Sequence, residues 1–346
     1  MSVAGAAPAG LEKYKMHEGV DFREQLMRRR TFLTTSAAAG FASGIPAGEA
    51  APADVPKRVF GKTGERITIV GQAGGRFPLC TYEEAKAVTR RAYDLGITYF
   101  DCARIYWSGR SEEVYGDALS PFRKNIFLTT KSPERSRKGA EADLEKSLRA
   151  LKTDYVDLWQ IHQVSNMDEV QQVFAPSGAI EAFVAAKKAG RCRFIGFTGH
   201  HDPEVHLAML KNFADYDTIL MPLNPADPSY LSFEQMVLPV AVQRGLGIQA
   251  MKSTANAGLL SDLHLKDCLS YVLSLPVHCV ALGCTTVGQI EDDVRIARQF
   301  QPLSAGEMAR IRERAKRLAG PRLENWKRDT TQKAGVVSYR DGTLAE

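Results

Sequence analysis

From residue 58 onward the chain alternates short apolar runs with longer stretches whose apolar residues share one helical face. The runs lie at 67–70, 97–100, 126–130, 155–161, 193–197, 218–221, 247–251 and 279–282. Helix signals separate them. Thr81 with Glu84 forms a capping box, Ala85, Val88, Ala92 and Leu95 share a face, and Gly96 stops it. Ser111-Glu112-Glu113 places acids in a first turn, Leu144, Leu148 and Leu151 mark another face, and Asp202-Pro203 opens a helix. Pro239 interrupts a helix that starts near Ser232, and Ser304 with Glu307 caps the last one. Val59-Phe60 and the turn Gly61-Lys62-Thr63-Gly64 read as a small hairpin leading into the first run. Short, evenly spaced strands, eight in number and each followed by a helix, predict an α/β chain. The fold expected is a (β/α)8 TIM barrel of about 250 residues with an N-terminal β-hairpin. An open doubly wound sheet is the alternative, but Gly71-Gln72-Ala73-Gly74-Gly75 lacks the G-x-G-x-x-G spacing of its nucleotide loop.

The rest of the chain divides around that unit. The barrel is expected over 57–319, followed by a polar, loosely attached tail at 320–346. Residues 1–53 differ in kind: Arg28-Arg29-Arg30 precede Thr31-Phe32-Leu33, then a weakly apolar run of small residues and Ala-rich candidate cleavage sites. The pair Arg29-Arg30 with Phe32-Leu33 resembles a twin-arginine export signal. This implies export machinery as a partner and a periplasmic destination, or a cytoplasmic one if the signal is not used. Export of a folded chain would carry any cofactor loaded inside the cell. The 346 residues hold 45 basic and 40 acidic side chains, and the surplus of +5 is spread out, which gives no reason to expect nucleic acid. No apolar run is long enough to span a membrane. Six cysteines show no C-x-x-C pair and read as small buried hydrophobes.

In such a barrel the reacting groups lie at the carboxyl ends of strands. Here strand two ends at Asp101 with Tyr106 in the following loop, strand three reaches Lys131, and strand four is followed by His162. Singly, each has an ordinary structural explanation; in consecutive order they form a chemical set. A nearby ammonium favours a phenolate, a carboxylate holds the ammonium, and the imidazole can orient a carbonyl oxygen. The phenol could then give that oxygen a proton while hydride reaches the carbon.

At these residues the sequence resembles the aldo-keto reductase family. The segment "GITYFDCARIYWSGRSEEVYGDAL" resembles the family's signature, and "FLTTKS", "VDLWQIH" and the opening "FGKTGERITIVG" resemble further family segments. The resemblance implies an NADP(H)- or NAD(H)-dependent oxidoreductase acting on a carbonyl or alcohol substrate (an aldehyde, a ketone or a sugar-like molecule). Tyr106 would be the general acid/base, Lys131 and Asp101 its tuning pair, and His162 the substrate-orienting group.

The cofactor side departs from the family pattern. Thr198-Gly199 stands where Ser-Asn is usual, and His200 is the candidate to substitute for the missing amide. Leu220 holds the position of a usual Gln, with Asn224 a candidate to compensate. Met251, followed by Lys252, stands where an aromatic often stacks on nicotinamide. After strand eight come Gly283, Thr285, Gln289 and Asp292, with no cation before Arg295. Those neutral and acidic groups lean toward NAD(H), against the family's habit of NADP(H). Two other functions compete: a non-catalytic nicotinamide-nucleotide-binding or regulatory protein, and a metal-dependent barrel hydrolase built on His162, His200, His201 and His206.

Overall fold

The structure, a computed structural model, describes residues 54–328. The chain opens with an antiparallel hairpin, β1 (Lys57–Val59) and β2 (Arg66–Thr68), with Arg58 opposite Ile67. Eight parallel strands then close a barrel in sequence order. They are β3 (Val70–Ala73), β4 (Tyr99–Asp101), β5 (Phe127–Ser132), β6 (Val156–Ile161), β7 (Cys192–Thr198), β8 (Thr218–Pro222), β9 (Gly247–Met251) and β10 (Cys279–Gly283). β10 pairs back onto β3, with Val280 opposite Val70.

The helices follow the sequence signals. They are α1 (Tyr82–Asp94), α2 (Arg110–Leu119), α3 (Arg137–Leu151), α4 (Met167–Phe174), α5 (Ala179–Lys188), α6 (Pro203–Asn212), α7 (Phe233–Met236), α8 (Leu238–Gln243), α9 (Leu265–Ser274), α10 (Val287–Arg298) and α11 (Ala305–Lys316). The capping boxes at Thr81 and Ser304 form as expected. Pro239 falls in the first turn of α8, where its missing N–H costs nothing, so one expected helix becomes α7 and α8. Ala85, Val88 and Ala92 of α1 are buried against the barrel. A fully buried aliphatic side chain of this kind contributes about 1.5–3 kcal/mol when it is as large as Val.

One expected boundary is corrected. The apolar run 67–70 is not the first barrel strand: its first half is β2 of the hairpin, and the barrel strand runs on to Ala73. The break is made by hydrogen bonding, because Thr68 Oγ1 donates to Val70 O at 2.8 Å and bends the chain between two equally apolar segments. Periodicity alone does not register such a bend.

The hairpin stops the amino end of the barrel. Phe60 and Ile67 pack with Tyr99, Phe127, Leu158 and Cys279 in a separate buried cluster. The Phe60 ring meets Phe127 edge-on at 5.5 Å and Tyr99 at 6.1 Å. Gly61 makes the approach possible: its φ is +52°, and a Cβ there would lie 2.4 Å from backbone atoms of Leu246 and Gly247.

The tail expectation also changes. Residues 320–328 pack on the barrel, with Trp326 and Lys327 buried. Lys327 Nζ bonds Asp227 Oδ1 at 2.7 Å and Glu324 Oε1 at 2.9 Å, so a lysine that reads as solvated is instead a buried anchor. The expected signal at 1–53 and the end of the tail lie outside the described residues. Among the described residues no helix is long and apolar enough to cross a membrane. All six cysteines are free thiols, and all but Cys80 are buried.

Candidate active site

Strand ends β4, β5 and β6 bring four of the expected groups together. The ammonium of Lys131 is fully buried and donates to Asp101 Oδ2 at 2.6 Å, to Cys102 O at 2.8 Å and to Tyr106 Oη at 3.1 Å. A buried charge is tolerated only when paired and hydrogen-bonded, and Lys131 is both. Asp101 is held in turn by Thr129 Oγ1 at 2.7 Å. The imidazole of His162 meets the Tyr106 ring edge-on, with centroids 5.5 Å apart at 78°. Its carbonyl accepts from Arg135 Nη2 at 2.7 Å, which fixes the end of β6. The thiol of Cys102 is not a competing nucleophile: burial pushes its pKa well above 9.0.

The loop presenting Tyr106 is strained. Trp107 (φ 50°), Ser108 (φ 53°) and Gly109 (φ 94°) are left-handed in succession. Such a conformation costs about 1–2 kcal/mol at each residue with a Cβ, and strain of this kind gathers at functional sites. Trp107 is drawn toward α1 and α2, with the Arg110 guanidinium 4.6 Å from its ring centre and the Tyr82 ring 6.4 Å away. The side chain of Tyr106 thereby stays buried and directed at Lys131.

A cleft opens beside Tyr106 and Asp101, between the loops after β3, β9 and β10. Of the expected cofactor residues, Met251, Lys252, Gly283, Thr285 and Gln289 line it, as does Leu220. Gln289 Oε1 accepts from Thr285 N at 2.8 Å, which shapes the start of α10. Others lie elsewhere. Asn224 Nδ2 donates to Glu324 Oε1 at 2.9 Å and its Oδ1 accepts from Ala226 N at 2.8 Å, so it anchors the tail and does not compensate for the missing Gln. Asp292 pairs with Arg295 at 2.5 Å and stands outside the cleft lining. Thr198, Gly199 and His200 are at the end of β7, also outside that lining; Thr198 Oγ1 is buried without a partner. Gly199 is pressed against the next loop, where a Cβ would come 2.5 Å from Val164 O.

Sequence reasoning misses Arg76, Ser253 and Thr254. Arg76, in the loop after β3, lines the cleft, packs over Gly283 and donates to Asn256 Oδ1. The cleft therefore holds two cations, Arg76 and Lys252, together with the hydroxyls of Ser253, Thr254 and Thr285. The cleft is not neutral as the residues after strand eight suggest, because the loop after β3 supplies Arg76 to it. The four histidines proposed for a metal do not converge. His206 packs between Phe197 (5.2 Å) and Phe233 (4.9 Å), and the ring of His201 lies 3.0 Å from Trp326 O.

The mouth of this closed parallel barrel sets a tyrosine against a buried lysine–aspartate pair. The family model for the aldo/keto reductases matches residues 72–268, and the chain belongs to that family. An uncharacterized oxidoreductase of Bacillus subtilis, YqkF, is 35% identical over 127 residues, which is 33% of this chain and 40% of that protein. L-galactose dehydrogenase of Arabidopsis thaliana is 25% identical over 319 residues, covering 76% of this chain and 96% of the relative. Among solved structures, an aldo-keto reductase from Klebsiella pneumoniae in complex with NADPH is similar with a TM-score of 0.63. Its identity is 21%, and the match covers 75% of this chain and 95% of that one.

Proposed function

We propose that this protein is an NAD(P)H-dependent oxidoreductase that moves hydride between nicotinamide and a carbonyl or alcohol substrate, with Tyr106 as general acid/base. The observation that carries this is the contact of Tyr106 Oη with Lys131 Nζ at 3.1 Å, the lysine itself held by Asp101 at 2.6 Å. The cleft fits a dinucleotide: it begins at Tyr106, and its two cations and three hydroxyls suit a pyrophosphate. Both NADH and NADPH carry that group, so these residues do not favour one over the other. Arg76, Lys252, Ser253, Thr254 and Thr285 would hold the nucleotide. When bound, nicotinamide supplies the hydride that reduces the carbonyl carbon.

The chain's own residues then handle the oxygen. The His162 and Tyr106 rings meet edge-on, and a carbonyl oxygen bound beside them would take a proton from Tyr106 Oη as the alkoxide develops. Lys131 stabilises the phenolate left behind, and Asp101 keeps the ammonium fixed. In the reverse direction Tyr106 takes the alcohol proton. The name of the Arabidopsis thaliana relative supports an aldehyde, ketone or sugar-like substrate.

Leu220 in the cleft lining favours a second reading, a protein that binds nucleotide without turnover. One experiment separates them. NADH and NADPH are titrated by fluorescence, and carbonyls and alcohols are screened with wild type and Tyr106→Phe. Turnover reduced at least about 100-fold in Tyr106→Phe, with nucleotide binding kept, is the expected result. Equal turnover of the two proteins rejects the assignment, and binding with no turnover by wild type selects the second reading.

We further propose export by the twin-arginine route, supported by Arg29-Arg30 ahead of Phe32-Leu33 and a small-residue run. Replacing both arginines by lysine should leave the protein in the cytoplasm; unchanged export rejects the reading.

A further inference from the structure

The turn after Tyr106 closes around groups that stand outside the cleft lining. Arg104 Nη1 pairs with Glu112 Oε2 at 2.6 Å, and the carboxylate is fully buried. Arg104 Nη2 reaches Ser108 O at 3.4 Å, within the left-handed turn. The same nitrogen occupies the space beside Gly109, where a Cβ would lie 1.3 Å from it. The turn is therefore wrapped on the guanidinium. On the other side, Glu112 Oε1 accepts from Thr130 Oγ1 at 2.5 Å, and Thr130 is the residue before Lys131 on β5. The backbone N–H of Arg104 also donates to Lys131 O at 2.9 Å. These contacts form a circuit from Tyr106 through the turn, Arg104, Glu112 and Thr130 to Lys131. It closes at the 3.1 Å contact between Lys131 Nζ and Tyr106 Oη.

We propose that Arg104 and Glu112 are positioning residues that set the separation of the Tyr106 hydroxyl from the Lys131 ammonium. The inference rests on the reading of Tyr106 as the general acid. Its logic is mechanical: Trp107 and Ser108 are two consecutive L-residues in the left-handed region, a conformation that needs support, and here the guanidinium supplies it. The buried carboxylate passes that support to the strand carrying the ammonium. Burial pushes the Glu112 carboxyl up, and the Arg104 guanidinium is the main opposing influence. The groups facing Tyr106 are Lys131 and Asp101 from β5 and β4 and His162 after β6. All three side chains keep their chemical identity in the Arg104 variants.

The test compares wild type with Arg104→Met, Arg104→Lys and Arg104→Met/Ser108→Gly. In Arg104→Met, kcat should fall by about 100-fold, as expected for a misplacement near 1 Å, while NADPH affinity stays within about twofold. The alkaline limb of the kcat profile should move to higher pH as the ammonium recedes from the phenol. Adding Ser108→Gly should restore part of kcat, because glycine takes the left-handed turn without the guanidinium. Arg104→Lys keeps the charge without the fork, so a smaller loss with the same displaced limb is expected, and this variant decides the matter if Arg104→Met does not fold. Wild-type kcat and limb in the folded variants would overturn the proposal, as would a loss confined to KM. Crystal structures give a reading independent of turnover. A Tyr106–Lys131 contact broken in Arg104→Met supports the proposal even if the protein proves non-catalytic, and an unchanged contact rejects it.

Discussion

Lys131→Met isolates the energetics of the buried ion pair. The methionine fills the stem of the lysine but removes the ammonium, and with it the contacts to Asp101, Cys102 O and Tyr106. At 2.6 Å and an effective dielectric near 20, the Coulomb attraction to Asp101 is about 6 kcal/mol, most of it offset by the cost of burying the two charges. The net effect of deletion is set by the group left behind. Asp101 is 2% exposed and would keep only the Thr129 hydroxyl at 2.7 Å among its side-chain partners here. Stranding such a carboxylate costs about 3–5 kcal/mol. Asp101→Asn in the same chain removes the stranded charge, so the double variant should regain at least about 1 kcal/mol over Lys131→Met. Urea unfolding followed by tryptophan fluorescence measures both, since Trp159 is fully buried. A loss below about 1 kcal/mol in Lys131→Met, or a double variant as unstable as the sum of the singles, would refute the claim that the pair is mutually dependent.

Other outcomes follow from packing and titration. Gly71→Ala would place a Cβ 2.4 Å from the Tyr99 ring, which is fixed by Phe60 and Phe127, so a loss of about 1–3 kcal/mol in urea unfolding is expected. Gly288→Ala meets nothing within 4 Å, lies in α10, and should gain up to about 1 kcal/mol in the same assay. Burial pushes His206 from 6.5 down to about 3, so the unfolded chain takes up a proton as pH drops below 6.5 while the folded chain does not until near 3. Stability should fall across that window at about 1.4 kcal/mol per pH unit from this group, and His206→Leu should flatten the acid limb of a pH series.

The quartet of Asp101, Tyr106, Lys131 and His162 is legible because it depends on two short-range facts: where strands end and which residues stand there. Asp101, Lys131 and His162 fall at or just after the ends of adjacent strands, so the alternation of elements placed them before any contact was known. The cleft beside Tyr106 is less legible because its walls come from segments far apart in the chain. Arg76 meets Gly283 and Asn256 only once β10 closes onto β3, and nothing around Arg76 in sequence signals that. Asn224 was assigned to the nucleotide because it follows β8, but its partner Glu324 lies in a segment that reads as a polar tail. Lys327 shows the same limit: composition gives the charge, and only the fold supplies Asp227 and Glu324 to bury it. At 67–70 the difficulty was local, since a bend made by one threonine hydroxyl leaves apolar periodicity intact.

The Phe60 stopper has a consequence for how the barrel holds together. Its ring touches Tyr99 of β4 and Phe127 of β5, and Gly61 beside it rests on Leu246 and Gly247 at the start of β9. The hairpin thus works as a rivet, joining staves that the strand ladder connects only through their neighbours. Trimming Phe60 to alanine would loosen both sides at once, at a cost of about 3–5 kcal/mol.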